Sequence, residues 1–214
     1  MALYDIPGMG KGYRAERFIP RGTVLLEERP VILIPSAISG EARAERIETA
    51  VANMHLWERQ QFDALQLGYQ FLGNTPAVGR FLTNALHCEG DFNYAGLFLN
   101  GSRFNSSCTP NVHQSWNGQT MQFRAMTDIL PSQELLISYD IRNLVRGRAD
   151  RRARIRESIG YECQCTRCLV NGRESDERRL RIRRALAIEN HDDHQFVVYN
   201  VGASTTADEN SSLN

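Results

Sequence analysis

The sequence predicts a mainly β chain interrupted by a helical insertion, an α+β fold. Two textures and one cluster point that way. Residues 1–35 and 96–140 are short apolar and β-branched runs cut by glycine, proline and asparagine. From about residue 39 the chain is instead rich in Ala, Glu, Arg and Gln, with apolar positions at helical spacing. Near the end, Y-E-C-Q-C-T-R-C puts Cys163, Cys165 and Cys168 within a turn or so of chain.

Each element follows in order. G-M-G-K-G, with Gly8, Gly10 and Gly12 alternating, is too glycine-rich for regular structure, and I-P-R-G at 19–22 is a turn. V-L-L-E-E and P-V-I-L-I-P supply strand material. The segment E-A-R-A-E-R-I-E-T-A-V-A-N-M-H-L-W-E-R-Q-Q-F-D-A-L carries Ile47, Val51, Met54 and Leu65 among strong helix formers, so helices are expected to roughly Tyr69. V-G-R-F-L-T-N-A-L-H, from Val78, predicts another helix with Cys88 at its end. M-Q-F-R-A at 121–125 and E-L-L-I-S-Y at 134–139 are the clearest strands. Over residues 142–156, seven arginines stand against Asp150 alone, and Ile155 and Ile159 give that stretch the narrow stripe of a surface helix. A second charged helix follows, with Ser175 as its cap and Asp176 and Glu177 in its first turn. The polar end, G-A-S-T-T-A-D-E-N-S-S-L-N, predicts disorder.

Composition narrows the classes of function. The chain has 214 residues, 42% hydrophobic, with 25 basic and 25 acidic side chains, so net charge argues neither for nor against a nucleic-acid partner. The arginine run lacks interleaved aromatics for base stacking. The first ten residues lack the basic start and apolar core of a secretory signal, and no apolar run approaches the length of a membrane span. The chain is therefore expected to be intracellular, in nucleus or cytoplasm, with no membrane partner. Five cysteines, an odd number, argue there for metal or free thiols over a disulfide framework.

A disulfide within C-x-C would be strained, whereas thiolates converging on zinc are not. Tetrahedral zinc needs a fourth ligand, and spacing leaves both Cys88 and Cys108 open. Cys108 lies in the loop N-S-S-C-T-P-N, which reaches a distant partner more readily than a helix end does. The glycines at 8, 10 and 12 do not spell a dinucleotide fingerprint. They do allow close approach of a ligand to backbone, and Lys11 adds a cation for a carboxylate.

Taken in order, G-x-G-x, R-F-N-x-S-C-x-P-N, E-L-x-x-S-Y-D and C-x-C-x-x-C resemble the SET-domain protein lysine methyltransferases, with SMYD-type and fungal SET proteins the nearest likeness. The likeness covers residues 1–35 and about 78–170. It implies a β-fold of short strands, with the N-S-S-C loop threaded beneath E-L-L-I-S-Y as a pseudoknot and a zinc-binding segment behind it. The implied units are 1–35 and 81–145 as the two parts of the SET domain, 36–80 as the insertion, 146–170 as the post-SET zinc segment, and 171–214 as a charged helix and disordered tail. It also implies S-adenosylmethionine as cofactor. Gly10, Lys11, Gly12 and Tyr13 match the loop that cradles it, and Asn84 matches a contact to its methionine part. Ser102, Asn105 and Ser106 match the adenosine segment, and Tyr161 matches the aromatic over the adenine. Tyr139 matches the tyrosine at the methyl-transfer centre. Cys108 matches the cysteine that joins Cys163, Cys165 and Cys168 on a structural zinc. The implied partner is a protein presenting a lysine, with nucleic acid met only as part of chromatin.

The chain departs from the pattern in places. Ser106 stands where the family usually has histidine, and Leu86 and Ile159 stand where relatives often carry channel aromatics, which removes cation–π partners for an amine. Residues 36–80 contain no cysteine, so the MYND finger of SMYD relatives is missing from the insertion. A degenerate domain that binds protein without catalysis is the alternative.

Overall fold

The structure, a computed structural model, describes residues 1–6, 10–89, 93–160, 162–170 and 172–185, without the side chains of Ser158 and Ile159. Tyr161, Gly8, the Ile159 side chain and the polar end therefore lie outside the described residues.

The amino-terminal block is four strands, β1 (Ala2–Ile6), β2 (Gly10–Arg14), β3 (Val24–Glu28) and β4 (Ile32–Pro35). The glycine stretch corrects the expectation of irregular chain there. Gly10, Lys11 and Gly12 lie in β2, paired antiparallel to β1 from Ile6↔Gly10 to Ala2↔Arg14. Cross-strand pairing overrides weak local propensity.

Two helices follow, α1 (Gly40–Ala52) and α2 (Leu56–Asp63). Helix stops at Asp63 and not near Tyr69, because neighbouring side chains capture the next backbone groups. Asn84 Nδ2 donates to the Gln66 carbonyl at 2.7 Å, and Gly68 N–H donates to Thr83 Oγ1 at 2.8 Å. A single 3-10 turn, Tyr69–Phe71, precedes α3 (Pro76–Asn84), which has proline in its first turn and the Thr75 hydroxyl accepting from Val78 N–H. The chain then turns to strand at β5 (Leu86–Cys88), so Cys88 sits on a strand rather than on a helix end. It pairs with β6 (Tyr94–Leu97).

After a 3-10 turn at Gly101–Arg103 come β7 (Asn105–Ser106), β8 (Val112–Trp116), β9 (Met121–Ala125) and β10 (Glu134–Ile137). The strands form three small sheets, ordered β1-β2-β10-β7, β3-β9-β8 and β4-β6-β5. The expected strand at 121–125 is β9, while the one at 134–139 ends before Ser138 and Tyr139.

The C-terminal region is helical: a 3-10 turn at Ile141–Val145, then α4 (Arg148–Ile159), α5 (Thr166–Leu169) and α6 (Arg173–Ala185). Helix α6 begins two residues before Ser175, which is thus inside the helix and not its cap. Helix α4 ends at Gly160, whose φ of 81° suits glycine, and the Tyr69 ring occupies the space a Cβ would need.

Two apolar cores hold the sheets. In one, Tyr13, Phe104 and Phe123 form a file, with Phe104 stacked on Phe123 at 4.7 Å and tilted on Tyr13 at 4.8 Å. The other joins Ile47, Phe62 and Phe81 of the helices to Ile32, Ile34 and Leu97.

Candidate active site and metal centre

A cleft of about 1750 Å³ runs between β2, the end of α3, the 102–111 segment and the turn after β10. Residues far apart in sequence meet on its wall: Gly10, Lys11, Asn84, Ser102, Asn105, Ser106, Cys108 and Tyr139. β10 is the organiser. β7 runs parallel to it, with Asn105 beside Leu136 and Ser106 beside Ile137. Beyond β7 the loop stays fastened, since Ser107 N–H donates to Ile137 O at 2.9 Å and Asn111 N–H to Leu136 O at 3.0 Å. The 102–111 segment and the Tyr139 turn therefore share one strand as their support.

Tyr139 is held at both ends. Its N–H donates to Ser106 Oγ at 3.1 Å, and its phenol donates to the Phe104 carbonyl at 2.9 Å. Burial, and then the negative charge of Glu134, push the phenol well above its ordinary pKa. It is therefore a neutral hydroxyl whose proton is committed to Phe104, leaving oxygen lone pairs for a donor in the cleft. Ser106, which replaces the expected histidine, spends its hydroxyl on fixing this turn.

The other matched residues divide. Asn105 Nδ2 donates to Glu134 Oε1 at 2.8 Å, and a Cβ on Gly12 would collide with that same nitrogen. Gly12 is thus needed for close approach. Gly10 has φ of 74° beside the cleft. Ser102 Oγ accepts from Phe98 N–H at 3.2 Å. Asn84 donates through Nδ2 to the Gln66 and Arg80 carbonyls, which orients its amide on the wall. Lys11 does have a carboxylate partner, but it is Asp5, at 3.0 Å across the β1–β2 hairpin. Tyr13 is not on the wall: it is 7% exposed, its ring belongs to the core, and its hydroxyl donates to Asn100 O at 3.3 Å. Leu86 lines the cleft.

Glu134 and Glu28 were not singled out by sequence. Glu28 accepts from Asn100 N–H at 3.0 Å and Gly101 N–H at 2.7 Å, which fixes the turn carrying Ser102. Carboxylates at strand ends carry no local signal of such work. Asp5, in contrast, could have been found by pairing the hairpin strands.

Beside the cleft, Cys108, Cys163, Cys165 and Cys168 gather with all four sulfurs within 4.8 Å of one another, while Cys88 lies in the core of the sheets. All are free thiols. Tetrahedral zinc with Zn–S bonds of about 2.3 Å separates its sulfurs by about 3.8 Å. Here Cys108 Sγ is 3.9 Å from Cys163 and 3.6 Å from Cys168. Hydrogen bonds shared with Cys163 and Cys165, and burial after them, push the Cys108 thiol well up. A divalent cation would reverse that, because the thiolate is the ligand. The donor set, the spacing and the burial all fit a closed structural metal site.

This strand order, with its cleft and cysteine tail, defines a class. The SET domain model matches residues 10–140, and the chain belongs to the SET-domain family. Among its relatives it is 33% identical to the histone-lysine N-methyltransferase set5 of Schizosaccharomyces pombe, over 84% of this chain and 55% of that protein. It is 35% identical to the protein-lysine N-trimethyltransferase SMYD5 of Homo sapiens, over 56% of this chain and 27% of that protein. With the N-lysine methyltransferase SMYD2-A of Danio rerio it shares 32% identity over 49% of this chain and 24% of that protein. The chain thus spans about half the length of the yeast relative and about a quarter of the other two. No helix among the described residues is long and apolar enough to cross a membrane.

Proposed function

We infer that this chain transfers methyl groups from S-adenosylmethionine to the ε-amine of a lysine on a protein, inside the cell. The observation that carries the reading is the cleft itself, where Gly10, Lys11, Asn84, Asn105, Ser106 and Tyr139 converge from four separate segments. In this reading 1–35 and 81–145 are the two parts of the SET domain, 36–80 is its insertion, and 146–170 is the metal segment. Gly10, Lys11, Gly12 and Tyr13 form the strand end against which the cofactor lies, Tyr13 through its backbone. Asn84 faces the methionine part. Ser102, Asn105 and Ser106 bind the adenosine part, which Tyr161 covers.

The cofactor supplies an activated methyl on a sulfonium, and the chain's own residues then have a positioning task. In-line displacement depends on holding the amine in line, and good alignment supplies much of the acceleration. Tyr139 Oη, whose hydroxyl proton is donated to Phe104 O, accepts from an amine N–H and so orients the nitrogen lone pair. Leu86 provides a dry wall that favours the neutral amine, the form able to attack. Cys108, Cys163, Cys165 and Cys168 would hold a zinc whose part is structural, joining the 163–168 segment to the loop bearing Asn105 and Ser106.

Radiolabelled methyl transfer to proteins of a cell extract tests this. Tyr139→Phe is expected to lower labelling about 100-fold, the scale of a misplaced reactant, while calorimetry still registers cofactor binding. Equal labelling by both proteins would remove Tyr139 from this role. A wild-type chain that binds no cofactor would leave the non-catalytic interaction module as the better account.

A further inference from the structure

Helix α6 and the arginines of α4 lie beyond the residues the SET model matches, yet they converge on the cysteine cluster. Arg151 is the most deeply buried charged side chain among the described residues, at 1% exposed. Its Nη1 donates to the Arg146 carbonyl at 2.6 Å and to Asp176 Oδ1 at 3.2 Å. Its Nε is buried with no hydrogen-bond acceptor, and Asp176 is the carboxylate paired with its guanidinium. Two more guanidiniums grip the backbone of the ligands. Arg148 Nε donates to Cys168 O at 2.7 Å, and Arg179 Nη2 of α6 donates to Cys108 O at 2.9 Å. Asp176 ties the two helices together by accepting from Arg148 N–H at 2.9 Å as well.

This grouping is hard to explain on its own terms. A buried guanidinium is costly unless its charge is compensated, and Arg151 and Arg179 lie within each other's like-charge field. One carboxylate, Asp176, does not balance three arginines, so the layer is left with a net charge of about +2. Four thiolates around a dication leave a net −2. The two charges oppose each other across the Cys108 and Cys168 segments.

We propose that Arg148, Arg151 and Arg179, held by Asp176, form the outer layer of the cysteine site, with Arg151 compensating the charge of a metal–tetrathiolate centre. Helix α6 is then a working part of that centre and not a charged appendage. The proposal rests on the cysteines holding a metal. Outer groups of this kind orient ligands and set affinity, and their loss typically costs 10- to 100-fold in metal binding. The Nε–H of Arg151 is the natural donor to a thiolate sulfur once the cysteines are deprotonated.

Zinc affinity of the full chain, measured by competition with a chromogenic chelator, tests it. Arg151→Met is expected to weaken zinc binding roughly 10- to 100-fold, and Arg151→Lys, which keeps the charge, to recover most of the loss. Equal weakening by Met and Lys would mean that only shape matters, and no weakening by either would mean that the arginine is idle; each overturns the proposal. If Arg151→Met does not fold, the same comparison is made with Arg179→Gln and Arg179→Lys at the helix edge, where Gln is expected to weaken zinc binding and Lys to preserve it. Equal affinity in that pair likewise overturns the proposal. A wild-type chain that takes up no zinc would refute the metal centre and with it the arginine layer, whereas zinc uptake unaffected by every variant would refute the layer alone.

Discussion

The sheets around the cleft and the helical region around the cysteines are held by opposite means. The first has a file of packed aromatics, Tyr13–Phe104–Phe123, and two apolar cores. The second has an apolar cluster of Ile155 and the cysteines, and its other contacts are charged, from Arg151–Asp176 to Arg152–Glu162 at 2.5 Å. A core of buried carbon persists in any solvent that keeps the chain folded. A core of thiols and guanidiniums, on the proposal above, needs a cation to make its charges compatible. The two regions should therefore fail separately.

The largest separation is expected from Cys108→Ser or from chelation. A structural zinc contributes on the order of 10 kcal/mol to the folding of the segment it binds. Losing a metal there should abolish the proposed methyl transfer and loosen α4 to α6, while far-UV circular dichroism retains the sheet signal. Thiol labelling gives a sharper readout. Burial pushes the Cys88 thiol up to about 12, so it stays protonated and shielded. The chelated, still folded wild type should expose four thiols quickly and the fifth only on denaturation. If all five react together, the two regions do not separate.

Phe104→Ala attacks the other region. It removes the middle of the aromatic file and should cost about 3–5 kcal/mol, read as a lower urea midpoint. Zinc affinity measured below that midpoint should be unchanged; a parallel loss of zinc would show that the two cores are one cooperative unit. The smallest effect is expected at Gly12→Ala, where the added methyl displaces Asn105 from Glu134. The cost is about 1–3 kcal/mol of stability, with a greater proportional loss in cofactor affinity measured by calorimetry. Unaltered affinity would remove Asn105 from the cofactor site.

Much of this was legible along the chain, because strands, helices and thiol chemistry are local properties. The runs at 24–28, 32–35 and 121–125, the helical insertion, and the chemistry of C-x-C-x-x-C all follow from residue type and short spacing. What escaped depended on pairing. G-K-G looked irregular until β1 paired with it, and α2 stopped at Asp63 because Asn84 and Thr83 captured the following chain. Seven arginines read as a solvated helix face, yet Arg151 is buried.

By itself the sequence determined many of the parts: the runs at 24–28, 32–35 and 121–125, the helical stretch from residue 40, and the thiols able to bind metal. Only the tertiary structure decided their partners. It brought Cys108 and not Cys88 to the other thiols, turned Tyr13 into the core, and gave Lys11 to Asp5. The reason is physical. A side chain's chemistry is carried by its own atoms, but its charge, protonation and reach are set by neighbours that are tens of residues away in sequence.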